Sequence, residues 1–382
     1  MNLSTTRPTF SLNLKRILTI LFFINLVLGS LHYFIFIALT RSFQDQLSLA
    51  LPGPSTWIAL TLLSGLTLTS IGFIVSQTLD KKYLGILTWA GYLWMGAFHL
   101  LFFSCLLDFL FEFIYHHEFS YWPLVVTPLI FLWALFKGLR HPQLRFESIT
   151  GPVSMQGMKL AQISDLHIGM LHLNQAWLQK IVDRINFHEP DLVAITGDLV
   201  EGPYHKISPQ LEPLLHLKGN IEKFYITGNH EYIHGSGPWE KRLQELGFYS
   251  LHNENTVIQF KKASVLVAGV PDRMVQRFQR HLKSNPDLAL RTPHTVDYKI
   301  LLAHEPASVL DLKTETCDLI LSGHTHGGQI FPFGFFVRAV QPVVKGFKTI
   351  NSVLVFAHQG TGFWGPPLRW FSQSEIVLFE WK

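Results

Sequence analysis

Seven side chains in the second half of the chain have the types and spacing of a metal site. Asp165 and His167 stand in Asp165-Leu166-His167, and Asp198 follows Gly197. Asn229 belongs to Gly228-Asn229-His230-Glu231, and His304 precedes Glu305. His324 and His326 share Gly323-His324-Thr325-His326-Gly327. Imidazole, carboxylate and carboxamide donors suit Mn, Fe, Zn or related divalent ions. Two such ions held roughly 3.5–4 Å apart can clamp both the attacking and the leaving oxygen of a phosphoryl displacement. That pair needs one carboxylate to bridge and further ligands for each ion, and these seven side chains are enough. A lone histidine is more often packed or solvated, and His32, His99, His172, His188, His252 and His281 are read that way.

What sets the seven apart is the element before each group. Leu160-Ala161-Gln162-Ile163, Leu192-Val193-Ala194-Ile195, Phe224-Tyr225-Ile226, Lys299-Ile300-Leu301-Leu302 and Asp318-Leu319-Ile320-Leu321 each lead into one motif. Apolar runs of this length, bounded by Gly and polar residues, read as buried strands. Their C-terminal ends deliver Asp, Asn or His, the place where ligands collect in α/β sheets. Helical patterns at 173–187, 209–217, 239–246 and 306–312 alternate with the strands, and further strand-like runs lie at 257–260, 264–268, 352–356 and 375–379. Two packed sheets flanked by helices are expected, in one α/β domain over residues 144–382.

In these motifs and their order the chain resembles the calcineurin-like metallophosphoesterases, from Met158 to Lys382. The resemblance implies that Asp165, His167 and His326 hold one metal, that Asn229, His304 and His324 hold the other, and that Asp198 bridges them. It also implies a catalytic role for His230 beside the leaving-group oxygen. A hydroxide bridging the two divalent ions would attack phosphorus in line, since bound metals lower the pKa of water toward about 7. Protonated His230 would donate to the departing oxygen. Glu231 is expected to cap a helix, with orientation of His230 as the other option. Gly-His-Thr-His-Gly-Gly-Gln at 323–329 and Gly360-Thr361-Gly362 look most like the bacterial membrane-associated branch. Some of that branch act on lipid-linked nucleotides such as UDP-diacylglucosamine.

The first 143 residues have another character. The whole chain is 48% hydrophobic and only 15% charged, unusual for a soluble chain of this size. Four apolar stretches, 17–40, 57–79, 84–107 and 121–137, are expected to form a four-helix transmembrane region. The fourth is short and contains Pro123 and Pro128. The first is read as a retained span, because its apolar core exceeds that of a signal peptide. Asp108 and Glu112 close the third stretch and are placed at the interface. Arg7, Lys15 and Arg16 precede the first span, Lys81 and Lys82 separate the second and third, and Lys137, Arg140 and Arg145 follow the fourth. Arg41 is the exception. This alternation puts both ends and the catalytic domain in the cytoplasm, with the spans in the inner or plasma membrane.

Two aromatic segments bear on the substrate: residues 331–338, ending in Arg338 with Lys345 and Lys348 beyond, and residues 363–371. Apolar and basic side chains beside a phosphoesterase site suit a lipid tail and an anionic head group, although ordinary core or docking on the protein's own spans explains them equally well. Arg273 and the basic stretch 277–283 read as a solvated helix face. A net charge of +4 is too small and dispersed for nucleic-acid binding. Cys105 and Cys317 fall in different domains, so no disulfide framework exists. The expected protein is a membrane-bound phosphohydrolase with two divalent ions, in contact with membrane lipids, cleaving phosphodiester or pyrophosphate bonds of a phosphoester substrate, with a lipid or lipid-linked nucleotide as the candidate. The alternatives are a general phosphodiesterase or phosphomonoesterase of soluble substrates and a catalytically silent metal-binding sensor or scaffold.

Overall fold

The computed structural model describes residues 14–40, 53–78, 81–116 and 121–382. Arg7 and Arg41 lie outside the described residues, as do the side chains of Lys15, Arg16, Lys81 and Lys82. The chain divides into two compact units, Met1–Phe131 and Leu132–Lys382.

The first unit is helical: α1 (Leu14–Thr40), α2 (Pro54–Thr78), α3 (Lys81–Tyr115) and the start of α4 (Trp122–Leu139). Ile35, Leu39, Leu62, Phe98 and Cys105 are buried where α1, α2 and α3 meet. Gly91 lets α2 approach α3, because a Cβ there would lie 2.6 Å from the Leu68 carbonyl oxygen. His32 is packed, its Nε2 accepting from Trp94 Nε1 at 3.1 Å. Among the described residues three helices are long and apolar enough to cross a membrane: Pro54–Gly72, Gly85–Tyr115 and Trp122–Leu139. They meet the second, third and fourth expected spans, while the first runs into residues whose side chains lie outside those described. The stretch containing Pro128 qualifies at 18 residues, roughly 27 Å of helix, because its Leu, Val and Phe residues outweigh one proline near the first turns. Over the first stretch α1 is 27 residues long, and the part with described side chains forms the apolar helix Asn25–Thr40. The third helix runs two turns past Leu107, with Asp108 buried and accepting from Trp122 Nε1 at 2.7 Å. No Gly or Pro interrupts 108–115, so nothing stops the helix at the acid.

The second unit holds twelve strands: β1 (Gln143–Ile149), β2 (Lys159–Ile163), β3 (Leu192–Thr196), β4 (Glu222–Ile226), β5 (Tyr249–Ser250), β6 (Glu254–Phe260), β7 (Ala263–Gly269), β8 (Tyr298–Leu302), β9 (Leu319–Ser322), β10 (Gly346–Ile350), β11 (Val353–Ala357) and β12 (Glu375–Trp381). They form two six-stranded mixed sheets, ordered β1-β12-β2-β3-β4-β5 and β10-β11-β9-β8-β7-β6. The inner strands are parallel, β2-β3-β4-β5 in one sheet and β7-β8-β9-β11 in the other. Alternate residues of both sheets meet in one core, including Leu160, Leu192, Phe224, Val265, Ile300, Leu319, Phe356 and Phe379. The opposite faces are covered too, which is why these strands read as continuous apolar runs.

α5 (Gln175–Asn186) begins where the Asn174 side chain accepts from Trp177 N at 3.1 Å. It buries Trp177, Leu178, Ile181, Val182 and Ile185 at helical spacing. Two expected helices are tighter 3₁₀ turns, Ser208–His216 and Pro306–Asp311; Pro209, Pro213 and Pro306 each lack the N–H an α-helix needs. Within 277–283 only Arg277 and Phe278 are helical, at the end of the turn Val275–Phe278.

Candidate metal centre

All five sequence motifs fall just beyond strand C-termini: Asp165 and His167 after β2, Asp198 after β3, Asn229 after β4, His304 after β8, and His324 and His326 after β9. β2, β3 and β4 lie side by side in one sheet and β8 and β9 in the other, so the two sheets aim their strand ends at one place. Asp165, His167, Asp198, His324 and His326 all have φ between 46° and 67°. Left-handed backbone at non-glycine residues costs free energy and collects at functional sites. Two glycines make room there. A Cβ on Gly323 would lie 1.9 Å from Ser164 Oγ and 2.4 Å from Asp165 Oδ2, and one on Gly197 would lie 2.5 Å from His304 Nδ1.

The structure brings the side chains into two groups whose ligand atoms lie within 4.8 Å of one another: Asp165, His167 and His326, and Asp198, His304 and His324. In the first, His167 Nε2 and His326 Nε2 are 3.2 Å apart, and His326 Nε2 is 3.4 Å from Asp165 Oδ1. In the second, His304 Nε2 is 3.2 Å from Asp198 Oδ2 and 3.3 Å from His324 Nδ1. Asn229 Oδ1 is buried with no hydrogen-bond partner. A buried carboxamide oxygen without a donor is costly, and a cation beside it removes that cost. None of His32, His99, His172, His188, His252 and His281 enters such a group among the described residues.

The donor set fits divalent ions. Burial, then the neighbouring His167 and Arg369, holds the His326 pKa well below its usual value. Burial and His304 lower that of His324. Both therefore favour the neutral imidazole that ligates metals. His304 is raised well above its ordinary range: burial opposes, but the Asp198 charge outweighs it. His304 Nδ1 lies 2.7 Å from the Thr196 carbonyl oxygen, to which it can donate, leaving Nε2 toward Asp198.

His230 lies within the same cluster. Its ring nitrogen is within 4.8 Å of ligand atoms of His167 and Asp198, and its backbone N–H donates to Asp198 Oδ1 at 2.9 Å. Burial lowers its pKa, but Asp198 and Glu201 outweigh burial and raise it to about 9. Its Nδ1 is 2.6 Å from Glu201 Oε2, an ion-pair distance outside hydrogen-bond alignment.

Three supporting residues complete the site. Glu201 went unnoticed in the sequence, although it stands three residues after Asp198. It accepts from His167 Nδ1 at 3.3 Å and His234 Nε2 at 3.3 Å. Burial opposes its charge, yet His230 and these hydrogen bonds hold its pKa well below the carboxylate range. Glu231 caps, as expected: its carboxylate accepts from the N–H groups of Gly228 (2.6 Å), Asp198 (3.0 Å), Leu199 (2.8 Å) and Val200 (3.3 Å). It thereby ties the turn after β3 to the turn after β4, and no hydrogen bond reaches the His230 ring. Burial and Asp198 raise its pKa to about 8, against the backbone bonds that favour its charge. Arg369 left no signal within its aromatic segment. Fully buried, it donates through Nη1 to the carbonyls of His326 and Gln359, both at 2.7 Å, and through Nη2 to that of Gly362. The turn Gly360-Thr361-Gly362 in turn donates from Gly362 N to the Asp165 carbonyl at 3.0 Å.

Relatives of known family match this chain in sequence. An uncharacterized metallophosphoesterase of Helicobacter pylori is 34% identical over 247 residues, covering 64% of this chain and 65% of that protein. One from Campylobacter jejuni is 33% identical over 264 residues, 68% of each chain. A zebrafish (Danio rerio) protein described as a transmembrane protein with metallophosphoesterase domain is 30% identical over 266 residues, 66% of this chain and 60% of its own length. The matched stretch thus spans about two thirds of these relatives. Residues 158–328 match the family described as calcineurin-like phosphoesterase, and with both ligand groups inside that stretch the chain belongs to the calcineurin-like metallophosphoesterases.

Proposed function

We propose that the chain is a membrane-anchored phosphohydrolase with a dinuclear metal centre, cleaving phosphodiester or pyrophosphate bonds of a lipid or lipid-linked nucleotide. The family makes it a metal-dependent phosphoester hydrolase, and three apolar helices together with a transmembrane relative make it membrane-associated. The observation that carries the dinuclear reading is the pair of ligand groups, together with the buried Asn229 oxygen that has no hydrogen-bond partner. Asp165, His167 and His326 would hold one ion, Asn229, His304 and His324 the other, with Asp198 shared. Bound there, divalent ions supply Lewis acidity and water activated at neutral pH.

The chain's own residues do the rest. Glu201 fixes the ring of His167 and, at ion-pair distance, favours the charged form of His230. A protonated His230 can give a proton to the departing oxygen, a step typically contributing ~10²–10⁴-fold. Glu231 and Arg369 hold the turns so that the ligands keep their places. The spacing of basic residues supports a cytoplasmic domain. A cytoplasm-only reporter fused at Lys382 should be active, and activity of a periplasm-only reporter there instead would reverse the orientation.

Detergent-purified protein with Mn²⁺ tests the chemistry on a nitrophenyl phosphodiester, a nitrophenyl monoester and UDP-diacylglucosamine. Turnover of the lipid nucleotide supports the full reading, and turnover of the simple diester alone leaves a general phosphodiesterase. In His230→Ala, metal content should hold while turnover falls most for poor leaving groups; loss of an ion would make His230 a ligand. Bound metal with no turnover of any substrate would favour the silent sensor.

A further inference from the structure

The segment after the last ligand motif is apolar and unburied. The helix Phe333–Val340 buries none of its residues, and Phe335 is 62% and Val340 72% exposed. Phe371, from a distant loop, is 65% exposed beside it and packs on Phe331 at 5.3 Å between ring centroids. Exposed apolar surface gathered in one patch marks an interaction site. Between this helix and the Gly327-Gly328 turn opens a cavity of about 440 Å³, within the size range of ligand pockets. Phe331, Phe335, Phe347, Trp370 and Phe371 give it an aromatic wall, and Arg338, Lys345 and Lys348 are its charged residues. Among the described residues none of its lining is acidic. Lys345 Nζ donates to the Phe371 carbonyl and Lys348 Nζ to the Pro342 carbonyl, and an ammonium has further donors beyond one such bond.

An aromatic wall with unneutralised cations complements a molecule with a hydrocarbon arm and an anionic head. The wall is also tied to an apolar helix within the same unit. Arg369 N, next to Trp370, donates to the Ala134 carbonyl of α4 at 3.0 Å, and a Cβ on Gly138 would lie 2.1 Å from the Pro367 carbonyl oxygen. We propose that this groove binds an anionic membrane lipid, its acyl chain against Phe331, Phe335, Phe371 and Trp370 and its head group among Arg338, Lys345 and Lys348. This rests on the membrane-anchored phosphohydrolase reading, and because Gly327 and Gly328 adjoin His326, a lipid held there would present its head group toward the metal centre.

The test uses the full chain in nanodiscs of phosphatidylcholine doped with phosphatidylglycerol carrying a diazirine in its acyl chain, followed by illumination and peptide mapping. Label should appear on peptides containing residues 331–348 and 370–371. Phe335→Ser with Phe371→Ser should remove most of it. Arg338→Glu and Lys348→Glu should each weaken it by about fivefold or more, the worth of one cation near an anionic surface. Phe187→Ser, an exposed aromatic outside the groove, should leave it unchanged. Label confined to α2–α4, as when the protein's own helices cover the patch, overturns the proposal. So does equal labelling by the phosphatidylcholine analogue, which would remove the role of the cations. Hydrolysis of the nitrophenyl diester, measured separately, keeps this outcome apart from that of the phosphohydrolase reading.

Discussion

The two ligand groups come from similar motifs but are braced differently. Asp165, His167 and His326 all sit on left-handed backbone, and side chains from other segments steady them: Glu201 at His167 and Arg369 at the His326 carbonyl. In the second group main chain holds the side chains, as the His324 N–H holds Asp165 in the first, while the Glu231 carboxylate accepts from the Asp198 N–H. The Thr196 carbonyl fixes His304, and the His230 N–H fixes Asp198. The contrast has a physical basis. His304 stands two residues past β8, next to the Ala303 N–H that still pairs with Leu321, whereas His326 stands four residues past β9 in a turn that Arg369 braces. Substituting the braces should therefore separate the two groups.

The largest effect belongs to the shared residue. Asp198→Ala should cut metal-dependent turnover by about a thousandfold or more, some 4 kcal/mol of barrier, and lower the bound metal measured by elemental mass spectrometry. Retained turnover would remove the shared position of Asp198. Asn229→Ala should act on the second group alone, with one ion lost and turnover down on the order of a hundredfold; two ions retained at wild-type affinity would show that Asn229 is not a ligand. Glu201→Gln should act on the first group, weakening one ion about 10–100-fold, the usual cost of removing an outer-shell partner. If both ions weaken equally in metal titrations, the braces are not separate.

The smallest effect on turnover and a clear one on stability is expected for Arg369→Met. It strands the buried carbonyls of Gln359 and Gly362, each costing about 1–3 kcal/mol, and roughly 2–4 °C in melting midpoint per kcal/mol. An unchanged midpoint would show that the turn 360–362 stands without its guanidinium. In the other direction, Gly323→Ala should fail to assemble the site, since its Cβ would collide with Ser164 and Asp165.

The sequence made the candidate ligand positions legible because each lies just past an apolar strand, and strand ends are where a sheet can place polar groups beside one another. The bracing was hidden for the opposite reason. Arg369 lies 43 residues from His326, within an aromatic run whose composition pointed to lipid contact or ordinary core, and only the tertiary fold turns its guanidinium inward. Glu201 was nearer to view, three residues from Asp198, but nothing local distinguishes it from a solvated acid. β1 and β10 escaped because they alternate half-exposed residues with exposed ones and carry no long apolar run. In the membrane region length and composition located the helices, and the marginal fourth stretch qualifies because one proline in α4 interrupts little of its hydropathy.

The most direct test is to strip the purified protein with a chelator, return Mn²⁺ stepwise, and follow both bound ions per chain and hydrolysis of a nitrophenyl phosphodiester. A dinuclear phosphohydrolase predicts no turnover in the stripped protein, binding that saturates at two ions per chain, and full activity only as the second site fills. Undiminished turnover in stripped protein, or saturation at one ion with full activity, would contradict it.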